Sequence, residues 1–204
     1  MDLLLIFASF IISCSTIILS QKYFLHNNYI DTINNRSSHS SVATRNGGVS
    51  LFLTLFLISV YFYLTGYEIY EFSLLIPLSV LVVIGLYDDI NGVDFKLKFI
   101  FQIITAKIII DNGLIIDNLH GFFGIYELGR ITAQLFTIFI IVGIINSINF
   151  IDGIDGLAST IVILFILGFE FFSISLTSYT NLSSMLIGSL IPLYYFNFRK
   201  KNKV

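Results

Sequence analysis

The sequence predicts an all-α integral membrane protein, a polytopic bundle of about seven transmembrane helices with its amino terminus outside. Of the 204 residues, 56% are hydrophobic and only 12% are charged. A soluble domain carries about 25% charged residues, so the composition excludes an ordinary soluble enzyme. The single cysteine, Cys14, excludes a disulfide framework and a cysteine-based zinc cluster. We expect one transmembrane domain over residues 1–204.

Apolar runs define the predicted spans, since a helix needs roughly 20 apolar residues to cross a bilayer. The first run lacks the basic start and the small-residue cleavage site of a signal peptide, so we expect it to remain as a helix. The fourth run is short unless it includes Leu97 and Lys98. In chain order, the predicted spans are 3–19, 48–64, 72–87, 99–110, 131–145, 157–174 and 182–198.

The loops between these spans differ in charge. The second loop has no basic residue, and the fourth has only Arg130 at its end. By the positive-inside rule, the first, third and fifth loops therefore lie in the cytoplasm with the basic tail. In the fourth loop, alternating apolar residues over 113–129 predict a small hairpin on the outer side. The basic residues behind this orientation are Lys22, Arg36, Arg45, Lys96, Lys98, Arg199, Lys200, Lys201 and Lys203.

Asp88 and Asp89 are adjacent carboxylates at the end of the third span. Two neighbouring carboxylates repel each other, so keeping both ionised requires a cation or a basic partner. Mg²⁺ suits them because it binds through few carboxylates together with substrate phosphates. Lys98, nine positions on, is placed to meet a phosphate after the chain turns into the next helix. The alternative is a solvated acidic loop that lysines balance.

The fifth loop, residues 146–158, holds two amides, two carboxylates and two glycines between long apolar segments. Ionisable groups at a membrane boundary are costly to keep, and by default they mark function. Asn146, Asn149 and Asp152 are spaced by three, as are Asp152 and Asp155, so helical neighbours share a face. Gly153 and Gly156 allow positive φ and close backbone approach. A plain Asp-Gly turn is the alternative, but it needs one such pair and this loop has two.

The first loop contains His39 and Arg45, and it ends in Gly47-Gly48. Arginine recognises phosphate with a planar fork, and paired glycines let backbone amides approach an anion. Alternatively, a basic loop beside the membrane only fixes topology. On the predicted topology, the first, third and fifth loops all face the cytoplasm. We expect them to build one active site there.

Together these loops resemble the polyprenyl-phosphate N-acetylhexosamine-1-phosphate transferase superfamily, glycosyltransferase family 4. The resemblance runs from about Arg36 to the end of the chain. Arg45 before the glycines resembles the branch that initiates O-antigen, enterobacterial common antigen or teichoic acid linkage. The segments that carry the resemblance are Arg36-Ser37-Ser38-His39, Thr44-Arg45-Asn46-Gly47-Gly48, Gly85-Leu86-Tyr87-Asp88-Asp89 with Lys98 and Gln102, and Asn146 through Ala158.

The resemblance implies transfer of a sugar 1-phosphate from a UDP-N-acetylhexosamine to undecaprenyl phosphate, with release of UMP. It implies a multi-pass protein of the bacterial inner membrane that initiates a cell-envelope polysaccharide and binds no nucleic acid. Mg²⁺ is the implied cofactor, with Mn²⁺ as the alternative ion. The metal ligand would be Asn149.

The resemblance also assigns the other candidate residues. Asp88 or Asp89 would act as the base or electrostatic partner of the lipid phosphate, and Lys98 would contact the phosphates. Asp155 would help to read the nucleotide, and Asp152 would shape its pocket. The remaining substrate-binding residues would be His39, Arg45 and Asn146.

Two departures from the family pattern affect the expectations. Val42-Ala43 stands where the family commonly has proline. The chain also ends before the family's Gly-Asp motif and histidine-rich loop, so we expect a carboxy-terminally truncated form. Such a chain could act as a homodimer, or with a second chain that supplies the missing part. The competing hypotheses are an inactive remnant of such a transferase and an unrelated transporter with a midplane site.

Overall fold

The computed structural model describes residues 2–31, 43–66, 72–152, 156–172 and 180–198. These residues divide into two compact units, one from Met1–Phe72 with Ile151–Val204 and the other from Ser73–Phe150. A short antiparallel strand pair, β1 (Ile30–Asp31) with β2 (Ala43–Thr44), belongs to the first unit. The described helices are α1 (Leu3–His26), α2 (Gly47–Thr65), α3 (Leu75–Asn91), α4 (Phe95–Asp111), α5 (Arg130–Ile151), α6 (Leu157–Phe172) and α7 (Thr180–Asn197).

Every predicted span contains one of these helices, so the all-helical class is confirmed. Within the described residues, four helical segments are long and apolar enough to cross a membrane, and α6 is apolar but shorter. Crossing by the remaining helices, and the outside position of the amino terminus, stay predictions. The four segments are Leu3–His26, Gly47–Thr65, Phe72–Asn91 and Arg130–Ile151.

In the first unit, the surface between α1 and α7 buries small polar side chains. Ser13 Oγ donates to the Ser189 carbonyl oxygen at 2.8 Å, and both serines are buried. A Cβ added to Gly188 would lie 2.4 Å from the Ile6 carbonyl oxygen, so only glycine permits this approach. Close contact through small residues, with hydroxyl hydrogen bonds, is typical of helix packing in lipid. Large apolar side chains such as Phe7 are exposed instead.

Asn46 joins the end of the first loop to α1 in the same unit. Its side chain is completely buried, and its Nδ2 donates to Ser20 Oγ at 2.7 Å and to the Ile17 carbonyl oxygen at 3.3 Å. Its Oδ1 accepts from Thr44 Oγ1 at 2.7 Å. A buried amide needs such partners, since an unsatisfied one costs about 1–3 kcal/mol. The hydrogen bonds fix the backbone on both sides of Arg45.

In the second unit, α3 and α4 pack together, joined by the short turn 92–94. The end of α4 and the start of α5 are joined by residues 112–129, which form the small hairpin predicted from the sequence. Its backbone pairing includes an antiparallel bridge between Asn118 and Glu127. The helix that covers the predicted fourth span, α4, begins at Phe95 and therefore includes Leu97 and Lys98.

Candidate functional site

The turn between α3 and α4 is organised around Asp88. Gly92 ends α3 with φ of 71°, a conformation that favours glycine, and its N–H donates to the Asp88 carbonyl oxygen at 2.8 Å. One carboxylate oxygen of Asp88 accepts from the Val93 N–H at 2.9 Å. The other lies 2.6 Å from Lys98 Nζ. Asp88 therefore closes the turn and also serves as the counter-ion of Lys98.

Asp89 is the second predicted carboxylate, and it lies beside Asp88 in the last turn of α3. Its side chain is exposed, whereas Asp88 is partly buried. The two neighbours therefore differ in environment although the sequence presents them as a pair. Asp88 is held by the backbone and by Lys98. Hard oxygen donors of this kind, near a cationic group, suit phosphate and Mg²⁺ chemistry.

Gln102 extends the polar row from Lys98 to α5. It lies four residues after Lys98 in α4, so the two side chains share a helix face. Its Oε1 accepts from Asn146 Nδ2 at 2.7 Å, and its Nε2 donates to Asn146 Oδ1 at 3.4 Å. Asn146 Nδ2 also donates to the Val142 carbonyl oxygen at 2.8 Å. The two amides, of which Gln102 is only 6% exposed, tie α4 to α5.

Asn149 lies at the same end of the second unit as Lys98. Gln102 is level with Asn146, and Ile116, after α4, donates its N–H to Thr137 at 2.9 Å. In the direction in which residue numbers increase from Gln102 to Ile116, they decrease along α5 from Asn146 to Thr137. The two segments therefore run antiparallel. Asn149 is one turn beyond Asn146 towards the end of α5, and it is exposed. The predicted helical spacing of the two asparagines is confirmed.

Asp152 follows α5 directly and belongs to the first unit. Partial desolvation raises the pKa of its carboxyl above the usual value, although the side chain keeps contact with solvent. Gly156 directly precedes α6 and has φ of 68°, the positive φ that a glycine permits at this position. A Cβ at this glycine would lie 2.3 Å from Cε2 of Phe198. Asp155 lies outside the described residues.

The structure describes the first loop up to Asp31 and again from Ala43. Arg45 is exposed between the buried Thr44 and Asn46, and it belongs to the first unit. Its backbone position is set by the Asn46 hydrogen bonds, so its side chain emerges from a fixed segment. His39 lies outside the described residues.

The metal-binding potential of the described residues is modest. Among them, no group of three or more His, Cys, Asp and Glu side chains is arranged to hold a metal ion. Both oxygens of Asp88 are engaged, with Val93 and Lys98. Asp89 and Asn149 are exposed oxygen donors. Exposed oxygen donors of this kind suit Mg²⁺ that keeps its water and binds substrate phosphates, rather than Mg²⁺ enclosed by protein ligands alone.

Two contacts of the second unit go beyond the sequence interpretation. Gln102 was a motif residue without a role, and the structure pairs it with Asn146. Its spacing of four residues from Lys98 indicates that the two side chains share a helix face. This spacing does not identify the partner of Gln102 on α5. The second contact is the Val93 hydrogen bond of Asp88, which depends on the conformation of Gly92.

A family model described as Glycosyl transferase family 4 matches residues 71–204. No curated protein matches the chain at a significant level. The match covers more than half of the chain and includes α3 to α7, with Asp88, Lys98 and Asn149. The chain belongs to this family. Membership supports a membrane transferase of the general polyprenyl-phosphate sugar-1-phosphate type.

Proposed function

We propose that this glycosyl transferase family 4 protein transfers an N-acetylhexosamine 1-phosphate from a UDP-sugar to undecaprenyl phosphate and releases UMP. The observation that carries the proposal is the Asp88–Lys98 pair at the α3–α4 turn, within the segment that matches the family. An ammonium group fixed next to carboxylates at a helix end is suited to hold phosphate anions. We further propose a cytoplasmic site in the bacterial inner membrane.

The reaction is an exchange at phosphorus. An oxygen of the lipid phosphate forms a bond to the phosphorus that carries the sugar, and the bond from that phosphorus to the oxygen of UMP breaks. The product is a lipid diphosphate sugar. Catalysis of this kind consists mainly of positioning and of offsetting negative charge, because the attacking and leaving groups are both anionic.

Lys98 supplies part of that charge compensation. In the structure its ammonium group lies 2.6 Å from Asp88. A substrate phosphate would compete with Asp88 for this ammonium group, and it would leave one Asp88 oxygen free to act as base or electrostatic partner. The Val93 hydrogen bond would keep the carboxylate in place during that exchange. Asp89, one residue on, supplies a second carboxylate at the same helix end.

The amide pair has a supporting role in this proposal. Gln102 and Asn146 join α4 to α5 by hydrogen bonds, and they would thereby help to position Lys98 and Asn149. Asn149 is the residue proposed to hold Mg²⁺, with Mn²⁺ as the alternative ion. When bound, the ion would offset phosphate charge and polarise the P–O bonds.

Substrate contacts outside the second unit belong to the same proposal. Asp152 and Asp155 would border the nucleotide pocket, and His39 and Arg45 would bind the anionic part of the substrates. Arg45 supports the branch that initiates O-antigen, enterobacterial common antigen or teichoic acid linkage. A second copy of the chain, in a homodimer, would be the protein partner.

The test is Mg²⁺-dependent release of UMP from UDP-N-acetylglucosamine, with undecaprenyl phosphate, by the chain purified in detergent. A complementary readout is extraction of a sugar diphosphate lipid. Asp89→Asn and Asn149→Ala should each remove most of the activity. The matched control is Lys107→Gln, because Lys107 forms an ion pair with Asp111 near the other end of α4.

The outcomes separate the elements of the proposal. UMP release without a sugar diphosphate lipid would indicate hydrolysis of the nucleotide sugar and would contradict the transfer. Equal activity of Asn149→Ala and the unchanged chain would refute the assigned metal ligand. No product from this chain, beside an active family member in the same assay, would contradict the proposal for the chain on its own.

A further inference from the structure

The hairpin between α4 and α5 carries an exposed aromatic tip. Phe122, Phe123 and Tyr126 are 66%, 88% and 67% exposed, and Ile125 beside them is 44% exposed. The rings of Phe122 and Phe123 contact each other edge to face, with centroids 4.4 Å apart. A hairpin tip in water normally carries small or polar residues. This tip instead offers a contiguous apolar surface.

The backbone at the tip is held in an unfavourable conformation. Phe123 has φ of 52° and ψ of 25°, in the left-handed region that bulky residues rarely adopt. Gly121 and Gly124 on either side also have positive φ, at 85° and 77°. These two glycines adopt it without steric cost, but Phe123 does not. Phe123 is also the most exposed residue of the tip. A strained backbone at such an exposed aromatic residue indicates that its ring has a role.

The base of the hairpin lies deep along α5. Ile116 N–H donates to Thr137 Oγ1, and Thr137 is buried. Thr137 is seven residues into α5, which places Ile116 about 10 Å along the helix from Arg130. Non-helical backbone at that depth of a spanning helix needs an internal hydrogen-bond partner, and Thr137 supplies it. The hairpin therefore starts within the apolar length of α5.

The two arms of the hairpin are joined by backbone hydrogen bonds. Leu128 N–H donates to the Asp117 carbonyl oxygen and Leu119 N–H to the Tyr126 carbonyl oxygen, both at 2.7 Å. Gly121 N–H donates to the Ile125 carbonyl oxygen at 3.0 Å. Because these groups are paired, the tip can leave water at little cost in lost hydrogen bonds.

Apolar surface continues from the hairpin onto α5. Ile131 and Leu135, in the first turns of that helix, are 76% and 63% exposed. Polar and charged residues occur beside the aromatic ones, as they do at the headgroup level of a bilayer. Those that the structure places on the exposed surface here are Asp117, His120, Glu127 and Arg130.

We propose that the aromatic tip, Phe122 to Tyr126, inserts into the headgroup–acyl boundary of the bilayer and anchors this end of the second unit to the lipid surface. Lipid is the occupant because the base of the hairpin starts at membrane depth and its apolar surface is continuous with that of α5. Aromatic rings with polar neighbours favour this boundary over both water and the hydrocarbon centre. The proposal is independent of the transferase reaction.

The chain contains no tryptophan, so a single introduced indole reports its own surroundings. The test places Phe123→Trp in the full chain, reconstituted into phosphatidylcholine–phosphatidylglycerol vesicles. Separate vesicles carry brominated lipids with the bromines near the headgroup or near the chain end. Phe139→Trp gives the reference for the hydrocarbon centre, since Phe139 is exposed nine residues into α5. N-acetyltryptophanamide gives the reference for water.

We expect the Phe123→Trp emission to shift to shorter wavelength than that of N-acetyltryptophanamide. Bromines near the headgroup should quench it more than bromines near the chain end, with the opposite order for Phe139→Trp. Emission and iodide quenching equal to those of N-acetyltryptophanamide would overturn the proposal. A shifted emission that no brominated lipid quenches would also overturn it, and would indicate contact with a second copy.

Phe122→Trp is a second variant that tests whether the result at Phe123 depends on a change in the strained backbone there. Phe122 does not have positive φ, so tryptophan fits its backbone without added strain. It should give the same order of quenching as Phe123→Trp. If both variants emit as in water, the tip does not contact lipid.

Discussion

Replacing Asp88 with asparagine separates its structural role from its proposed chemical role. The amide oxygen of asparagine can still accept the Val93 N–H, so the turn between α3 and α4 should persist. What is lost is the ion pair with Lys98. The side chains of Lys98 and Asp88 are 35% and 28% exposed, so solvent screens the pair. We expect the free energy of unfolding to fall by about 0.5–1 kcal/mol.

The expected effect on transfer is much larger. If Asp88 acts on the lipid phosphate as base or electrostatic partner, its loss should lower the rate by about 10²–10⁴. That range corresponds to roughly 3–5 kcal/mol of activation free energy. Asp88→Ala should add the loss of the Val93 hydrogen bond, about 1 kcal/mol of stability, with little further loss of rate.

The assay measures UMP release and thermal unfolding on the same detergent-purified samples. Lys107→Gln is the control, because it removes the ion pair with Asp111 on the same helix and costs at most about 0.5 kcal/mol. The reasoning is refuted if Asp88→Asn loses no more activity than Lys107→Gln. It is also refuted if the loss of rate disappears at temperatures where both variants are fully folded.

Three other features of the structure lead to further predictions. Asn146→Ala deprives the buried Gln102 amide of its partner and should lower the unfolding free energy by about 1–3 kcal/mol in chemical denaturation; replacing both residues with leucine should recover most of the loss. Gly156→Ala should lower the melting temperature, and Phe198→Ala should restore only part of it, because the φ of 68° remains unfavourable for alanine. Full restoration would contradict the conformational argument. The raised pKa of Asp152 favours its neutral form in the folded state, so stability should fall as pH rises through the range of that pKa. Asp152→Asn should therefore be more stable than the unchanged chain near neutral pH and equally stable in acid; lower stability at neutral pH would contradict the sign.

Helix positions could be predicted from the sequence, because they depend on the length of apolar runs. All the predicted spans contain helices, although α1 continues past its predicted end to His26. The apolar run stops before that point, but Ser20 and Gln21 are buried and make polar contacts, so the helix extends with polar residues. Hydropathy alone does not detect such a continuation.

The candidate site could be predicted less completely, because its geometry depends on backbone conformation and on contacts between distant residues. The placement of Asn146 and Asn149 one helical turn apart can be predicted from their spacing of three residues. The difference in burial between Asp88 and Asp89 cannot be predicted from the sequence, because it arises from the turn at Gly92. The link between Gln102 and Asn146 spans forty-four positions, and no local pattern encodes it.

The Gln102–Asn146 pair lies at the boundary between side chains of α4 and α5 that reach solvent and side chains of α4 that are buried. On one side, towards the ends that carry Lys98 and Asn149, side chains reach solvent. On the other side, Ala106 is fully buried one turn beyond Gln102. An amide at such a boundary must be satisfied within the protein, because lipid offers no hydrogen-bond partner. Variants on the polar side should therefore change activity before stability, whereas variants of the pair itself should change stability first.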